Sequence, residues 1–526
     1  MTGNLRTCAR RATVTGTLFL VGLLVVSGCS LHQPPPVGAD VDHGVMTDAS
    51  ASAGTATGAG HPSSGRLRGS DRWRLRHPAR DGQIAGYTTR AGAAPGVPVD
   101  LRVSTTAHWY RVTAYRIGAY HGGSGRRVWQ SAVLRGRRQA EARFTDATRR
   151  TVHADWAGTS RVDTRGWDPG VYVFKLSTSR WQAHVPYVVR SPSVAGRVVL
   201  VAPVTTWQAY NDWGGYSLYA GPSGDRRAWA VSFDRPYPLP GSGELMFGVV
   251  PLVVAAERAR LPLAYLTNLD LHTRRDPLRR ARAYVSMGHD EYWTPRMRRV
   301  VEQARADGVN LAFFGANTMY WRIRLEAGRH GRGRVVVGYR SDAHLDPVGV
   351  ERRRTGLFRD APGPRAGEHH LTGMQYECFP VDAPYRVVTP GWWGFEGTGV
   401  GRGQTFPHLV GVEADRVYPV PGTPRPLQVL SHSPYSCGGV STSAQSVYYT
   451  TRSGAGVFNA GTLRWTCALT GRCAPYHLSA ATRRFVRTVT VNVLRAFSRG
   501  PVALRHPALD NLDRFGLPRV NQVPAS

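Results

Sequence analysis

The stretch Ser286-Met287-Gly288-His289-Asp290-Glu291-Tyr292-Trp293 sets an imidazole, two carboxylates and two aromatic rings side by side. His289 and Glu291 are two positions apart, a spacing that lets both side chains aim at one cavity from an extended turn. A carboxylate beside an imidazole can act as general base and acid on a small substrate. Acidic residues just ahead of a helix also serve as plain caps, favoured by the helix dipole. The elements around the stretch therefore decide its meaning.

A mostly apolar run, Ala281 to Met287, leads into it, and a helix-like segment, Pro295 to Ala306, follows. A buried strand that ends where a helix begins is the place where open α/β sheets bind ligands. The same texture starts at Gly196. The run that follows Arg197, Val198 to Pro203, is apolar throughout, as in a strand buried on both faces. A helix-like segment from Gly248 to Arg260 and strand-like runs at Leu263–Asn268 and Val309–Phe314 continue the alternation. That alternation predicts a parallel sheet with crossover helices. Four polar clusters then fall just behind strands: Tyr210-Asn211-Asp212, Asp270 with His272, His289 with Glu291, and Asn317. Strand ends of one parallel sheet share an edge, so these clusters are expected to converge. Further on, Arg334–Tyr339, Leu409–Asp415 and Gly456–Thr462 read as strands or strand ends, Ala480–Phe497 as an apolar-periodic helix, and Trp392-Trp393 as part of an aromatic turn.

The chain lacks Gly-x-Ser-x-Gly, a Walker loop and His-Glu-x-x-His, which argues against a serine hydrolase elbow, an NTPase and a zincin. What remains is rich in oxygen: phenols, carboxylates and an amide. Phenolate and carboxylate are hard ligands that suit a trivalent iron acting as Lewis acid. Only a strong cation deprotonates a phenol whose ordinary pKa is about 10. Nothing in the residues alone demands a metal, and Glu291 as base with His289 as its orienting group or as the acid is the metal-free version.

Ala209-Tyr210-Asn211-Asp212-Trp213-Gly214-Gly215, Gly288-His289-Asp290-Glu291-Tyr292-Trp293, Phe313-Phe314-Gly315-Ala316-Asn317-Thr318 and Phe458-Asn459-Ala460-Gly461-Thr462 resemble recurrent motifs of the N,N-dimethylformamidase large (beta) subunit-like family, in its C-terminal region. Arg116-Ile117-Gly118-Ala119-Tyr120 resembles it as well, and the likeness spans about Ile84 to Ser498. The resemblance implies a mononuclear iron, Fe3+, held by two tyrosines and one glutamate, and hydrolysis of a small amide. Glu291 matches the carboxylate ligand and Tyr210 one tyrosine, while His289 and Asn317 match the supporting pair. Tyr172 is chosen as the second tyrosine by approximate spacing, with Tyr187 and Tyr219 as rivals. Glu413 is the candidate for a further acidic residue.

The fold class expected is α/β plus all-β. Period-two runs such as Val99–Ser104 and Tyr110–Ile117, parted by turn residues, predict an Ig-like β-sandwich over residues 84–190. A mostly parallel sheet domain over residues 196–498, resembling class I glutamine-amidotransferase-like folds, follows, and residues 499–526 form a tail.

The first 29 residues depart from what a cytoplasmic amidase needs. Arg6, Arg10 and Arg11 precede an apolar run, Val14 to Val26, too short to span a bilayer comfortably. It ends Val26-Ser27-Gly28-Cys29, which resembles a bacterial lipobox with Cys29 as the lipidated residue. Residues 30–70, rich in Gly, Ala, Ser, Pro and Thr, read as a tether. The expected location is therefore extracytoplasmic, anchored to the cell membrane by lipid. In an exported chain, Cys378, Cys437, Cys467 and Cys473 point to two disulfides, Cys378–Cys437 and Cys467–Cys473. The net charge is +32, carried almost wholly by arginine, with Lys175 the lone lysine. Because these arginines are scattered, no nucleic-acid partner is expected. A small amide-like substrate is the expected partner; a homo-oligomer is allowed. Trp-rich loops around Trp213, Trp321 and Trp392 are candidates to shape a larger pocket. The competing reading is an envelope lipoprotein that binds glycan or polymer on a decayed enzyme scaffold.

Overall fold

The central sheet is built where the apolar runs predict it. In the computed structural model its strands are β1 (Val198–Ala202), β2 (Leu263–Thr267), β3 (Ala283–Ser286), β4 (Asn310–Phe313), β5 (Leu427–Cys437), β6 (Val440–Thr450) and β7 (Gly456–Asn459). Their order is β2-β1-β3-β4-β7-β6-β5, with the first five parallel and the last two antiparallel. All five residues of β1 are buried, as a strand covered on both faces requires. The structure describes residues 67–520 apart from Asp81, residues 223–225, residues 239–242 and Glu244. The export signal, Cys29 and most of the tether lie outside the described residues. Among the described residues no helix is long and apolar enough to cross a membrane.

Five helices matter for the site: α1 (Val204–Ala209), α2 (Val250–Arg258), α3 (Asn268–Thr273), α4 (Pro295–Ala306) and α5 (Ala480–Ser498). Helix α4 begins at Pro295, as the helix-like segment predicts: Thr294 caps Met297 N–H through its side chain, and Pro295 occupies the first turn. One core joins α2 and α5 to one face of the sheet, and a second joins α4 to the other. The chain is thus a mixed α/β protein with many strands and few helices.

Ahead of this sheet lie two antiparallel arrays. One pairs Ile84–Thr88, Val99–Thr105 and Ser160–Val162; the other is built on Trp109–Tyr120, Gly170–Ser177 and Gln182–Val189. Residues of both arrays share one core, including Leu101, Val112, Phe174 and Val185. The motif Arg116–Tyr120 is the seam to the central sheet. Glu257 of α2 takes Arg116 at 2.7 Å, the Tyr265 hydroxyl at 2.7 Å and the Ala119 N–H at 2.9 Å. A Cβ on Gly118 would sit 2.2 Å from a Glu257 carboxylate oxygen, so a side chain there would push that carboxylate off the seam.

After β4 the chain adds a long hairpin, Gln375–Arg386 with Thr405–Arg416. The disulfides Cys378–Cys437 and Cys467–Cys473 both form, with Cα atoms 6.2 and 5.3 Å apart. The last segment, through Leu512, packs on the sheet: Asn511 accepts from Val429 N–H at 2.7 Å and its amide donates back to the Val429 carbonyl.

Candidate functional site

Registers across β1, β3, β4 and β7 align Val201 with Ser286, Ser286 with Phe313, and Phe313 with Asn459. The segments behind these ends therefore leave one edge. Gly288 turns the chain just past β3 with φ +82, and a Cβ there would meet the Gly248 Cα at 2.9 Å. The next three residues, His289, Asp290 and Glu291, are all buried. The backbone of Glu291 is pinned from both sides: its N–H donates to Thr206 Oγ1 at 3.0 Å, and its carbonyl accepts from Trp321 N–H at 3.0 Å.

Two phenols meet this carboxylate. Tyr210, at the C-terminal cap of α1, donates to Glu291 Oε2 at 3.1 Å, and Tyr219 donates to the same oxygen at 2.6 Å. Their rings stack with centroids 4.2 Å apart. The loop that carries Tyr219 is folded back by Leu218 N–H on the Ala209 carbonyl, 3.0 Å, and held by buried Arg235, which donates to the carbonyls of Asn211, Trp213 and Tyr216. His289 Nε2 lies 3.4 Å from Glu291 Oε2 and 3.4 Å from Glu413 Oε2. Asn317, with φ +57, is held by its N–H on Asp415 Oδ1 at 2.7 Å. Its side-chain oxygen is buried and makes no hydrogen bond within the described residues.

Arg340 completes the enclosure. Its guanidinium carbon sits 3.9 Å from the Tyr219 ring centroid and 4.9 Å from that of Trp321, and it donates to the Leu218 carbonyl at 2.7 Å. Burial pushes Tyr219 well above the usual phenol range, and the Glu291 charge adds to this. For Glu291 burial also pushes upward, but the His289 hydrogen bond and charge, with Arg340 and Tyr219, hold it below its ordinary value. Asp290 faces away into a pocket of Ser286, Tyr284 and Asn268, where burial raises it to about 6 despite those hydrogen bonds. It fixes the turn; it does not join the cluster.

The structure brings together His289, Glu291, Tyr210 and Glu413, with Asn317 close by on the strand-end loop held by Asp415. Tyr172 is not among them. Its hydroxyl donates to the Asp168 carbonyl at 2.6 Å and its ring stacks on Trp167 in the core shared by the N-terminal arrays. Tyr187 lies in that same core, so Tyr219 stands where the second phenol was expected. Asp270 and His272 are structural: Asp270 closes a capping box with Thr267 and pairs with Arg190 at 2.8 Å, and His272 meets Thr294 Oγ1 at 2.8 Å. Trp392 is a packing residue, stacked on Phe458 with centroids 5.5 Å apart. Arg340, Asp415 and Thr206 carry no sequence signal of their own; one arginine among 67 basic residues is indistinguishable.

A family model described as N,N-dimethylformamidase beta subunit-like, C-terminal, matches residues 111–477. The chain belongs to this family. The match covers every residue of the cluster, from Tyr210 to Glu413. No curated protein compared with the chain matches it. Membership in the dimethylformamidase-like family suggests a hydrolase of C–N amide bonds.

Among the described residues no three His, Cys, Asp or Glu side chains form a metal cluster of their own. The donor set gathered here is of another kind, two phenols on one carboxylate oxygen. Neutral phenols hydrogen-bonded to a carboxylate hold protons that a strongly charged, hard cation would displace. The set fits iron(III).

Proposed function

We propose that the protein is an exported, iron-dependent hydrolase of the C–N bond of a small amide. The observation that carries this reading is the convergence of Tyr210 and Tyr219 on Glu291 Oε2, with His289 Nε2 between Glu291 and Glu413. Tyr210, Tyr219 and Glu291 would hold the metal, which when bound would supply Lewis-acid polarisation of the amide carbonyl.

The chain's own groups supply the rest. The oxygen of Asn317, which makes no hydrogen bond among the described residues, is available to accept from an amide N–H or from water. His289 Nε2 can hold a proton taken from the attacking water and share it with Glu413 Oε2 at 3.4 Å. The same pair can return it to the departing nitrogen. Bond balance is that of any hydrolysis: water adds its oxygen to the carbonyl carbon, the C–N bond breaks, and the amine leaves with the proton. Burial of His289, Glu291 and Asn317 keeps bulk water out and strengthens these interactions. A metal-free hydrolase using His289 and Glu413 as acid and base is the second reading, favoured by the position of His289 between two carboxylates.

The N-terminal arrays sharing one core support the Ig-like reading of residues 84–190, and the five parallel strands support the amidotransferase-like reading of residues 196–498. Lipidation at Cys29 and membrane anchoring rest on the sequence of the first 29 residues. The test is metal content and a visible spectrum of the purified chain beside Glu291→Ala and Tyr210→Phe. Stoichiometric iron with a tyrosinate-to-iron band, lost in both variants, is expected. A colourless, metal-free, folded protein would sink the iron reading and leave the metal-free hydrolase or the binding lipoprotein.

A further inference from the structure

Helices α2 and α5 lie against the same face of the sheet but leave a cleft of about 420 Å³ between them. That volume is in the range of pockets that hold small ligands. Two helical stripes line it. Val250, Val254 and Arg258 project from α2 at four-residue spacing, and Arg487, Val491 and Arg495 project from α5 at the same spacing. Valines thus form the floor and exposed arginines the rim. No acidic residue lines the cleft among the described residues. Of the nearby acids, Glu257 faces away to Arg116 at 2.7 Å, and Asp71 is taken up by two lining residues, Arg74 at 3.7 Å and the Ser124 hydroxyl at 2.8 Å. Arg258, Arg487 and Arg495 form no ion pair among the described residues.

We infer that this cleft binds one molecule of an anionic amphiphile, an alkyl or acyl chain ending in a carboxylate or phosphate. The chain removes the valine floor from water, and the head group supplies the charge that three guanidinium groups lack. A concave site between two helices suits a single chain, whereas a flat bilayer surface would reach only the rim. The inference is independent of iron and of the amide reading, since none of its residues belongs to the Glu291 cluster.

Calorimetric titration of the full chain with dodecyl phosphate, kept below its micelle concentration, tests it. One saturable site is expected, about tenfold or more tighter than for dodecanol or for inorganic phosphate. The double variant Arg487→Gln, Arg495→Gln should weaken dodecyl phosphate by about tenfold with an unchanged melting temperature, because both side chains are exposed. Val254→Trp, which fills the floor, should weaken dodecyl phosphate and dodecanol alike. Equal binding of dodecyl phosphate and dodecyltrimethylammonium would overturn the inference. So would unchanged affinity in a folded double variant, or binding to phosphatidylglycerol vesicles with no site for the monomeric amphiphile.

Discussion

Two buried glutamates, Glu291 and Glu377, are surrounded by the same residue types and are put to opposite uses. Glu377 accepts from Arg416 Nη1 at 3.2 Å and from the hydroxyls of Tyr418 and Thr442, so its charge is neutralised by a direct ion pair. Glu291 accepts from two tyrosines, and the nearby cation, Arg340, lies over the Tyr219 ring instead of on the carboxylate. Among the described residues Glu291 has no Arg or Lys ion pair. One strand, Thr405–Arg416, serves both places: Glu413 and Asp415 share one face and Arg416 takes the other, as the period of two dictates. A carboxylate closed by a guanidinium is structure; one met only by phenols and an imidazole is left able to receive a cation or a proton.

The sharpest way to break this contrast is to neutralise each acid. Glu291→Gln should lower hydrolysis about a thousandfold and abolish iron binding, while costing less unfolding free energy than the loss of a direct ion pair. Iron analysis and denaturant unfolding of the same sample check both halves; stoichiometric iron in the variant would remove Glu291 from the site. Glu377→Gln should do the reverse. It strands Arg416 without its counter-charge and should cost about 3 kcal/mol of unfolding free energy, while the folded fraction should bind iron as the parent chain does.

The contrast was only half legible in the sequence. Apolar runs predict β1, β3 and β4, and the expected span of α4, Pro295 to Ala306, agrees with the structure to the residue, because local pattern alone specifies them. The shared strand edge then brought Tyr210, His289 and Glu291 together, as topology requires. What escaped depends on long-range packing. The hairpin β5–β6 is rich in serine and its period is interrupted by a bulge between Val429 and Ser431, so no run announced it. Tyr172 and Tyr219 are alike as letters; the difference is that Tyr172 sits in the core of a different pair of sheets, while a loop clamped by Arg235 returns Tyr219 to Glu291. Arg340 reaches the site from beyond β4, with φ +56, and has no local signature.

That pair of tyrosines offers the next test. Tyr219→Phe removes a phenol from Glu291 and should cost the tyrosinate-to-iron band most of its intensity and weaken metal retention. Tyr172→Phe should leave the spectrum unchanged and cost about 1 kcal/mol, the worth of one hydrogen bond to the Asp168 carbonyl. Matching spectra for the two variants would place the second phenol elsewhere.

The smallest effect concerns the two acids that one strand face and one turn bring to the site with opposite leanings. Burial raises Asp415 from 3.8 to about 7, against the pull of the Asn317 N–H, whereas Glu291 is held below its ordinary value. In the folded protein Asp415 keeps a proton that the unfolded chain releases near pH 4, so the unfolded state binds fewer protons between about pH 4 and about pH 7. Its contribution is full at the acid end of that window and is lost as the pH rises to about 7. Glu291 acts in the other direction, adding stability as the pH rises through the ordinary carboxylate range. Asp415→Asn should therefore flatten the decline of unfolding free energy between pH 5 and pH 7 without altering the rise at lower pH. If the Asp415→Asn curve runs parallel to the parent curve across that window, Asp415 is ionised in the fold, and the two acids of the site differ in partners but not in charge.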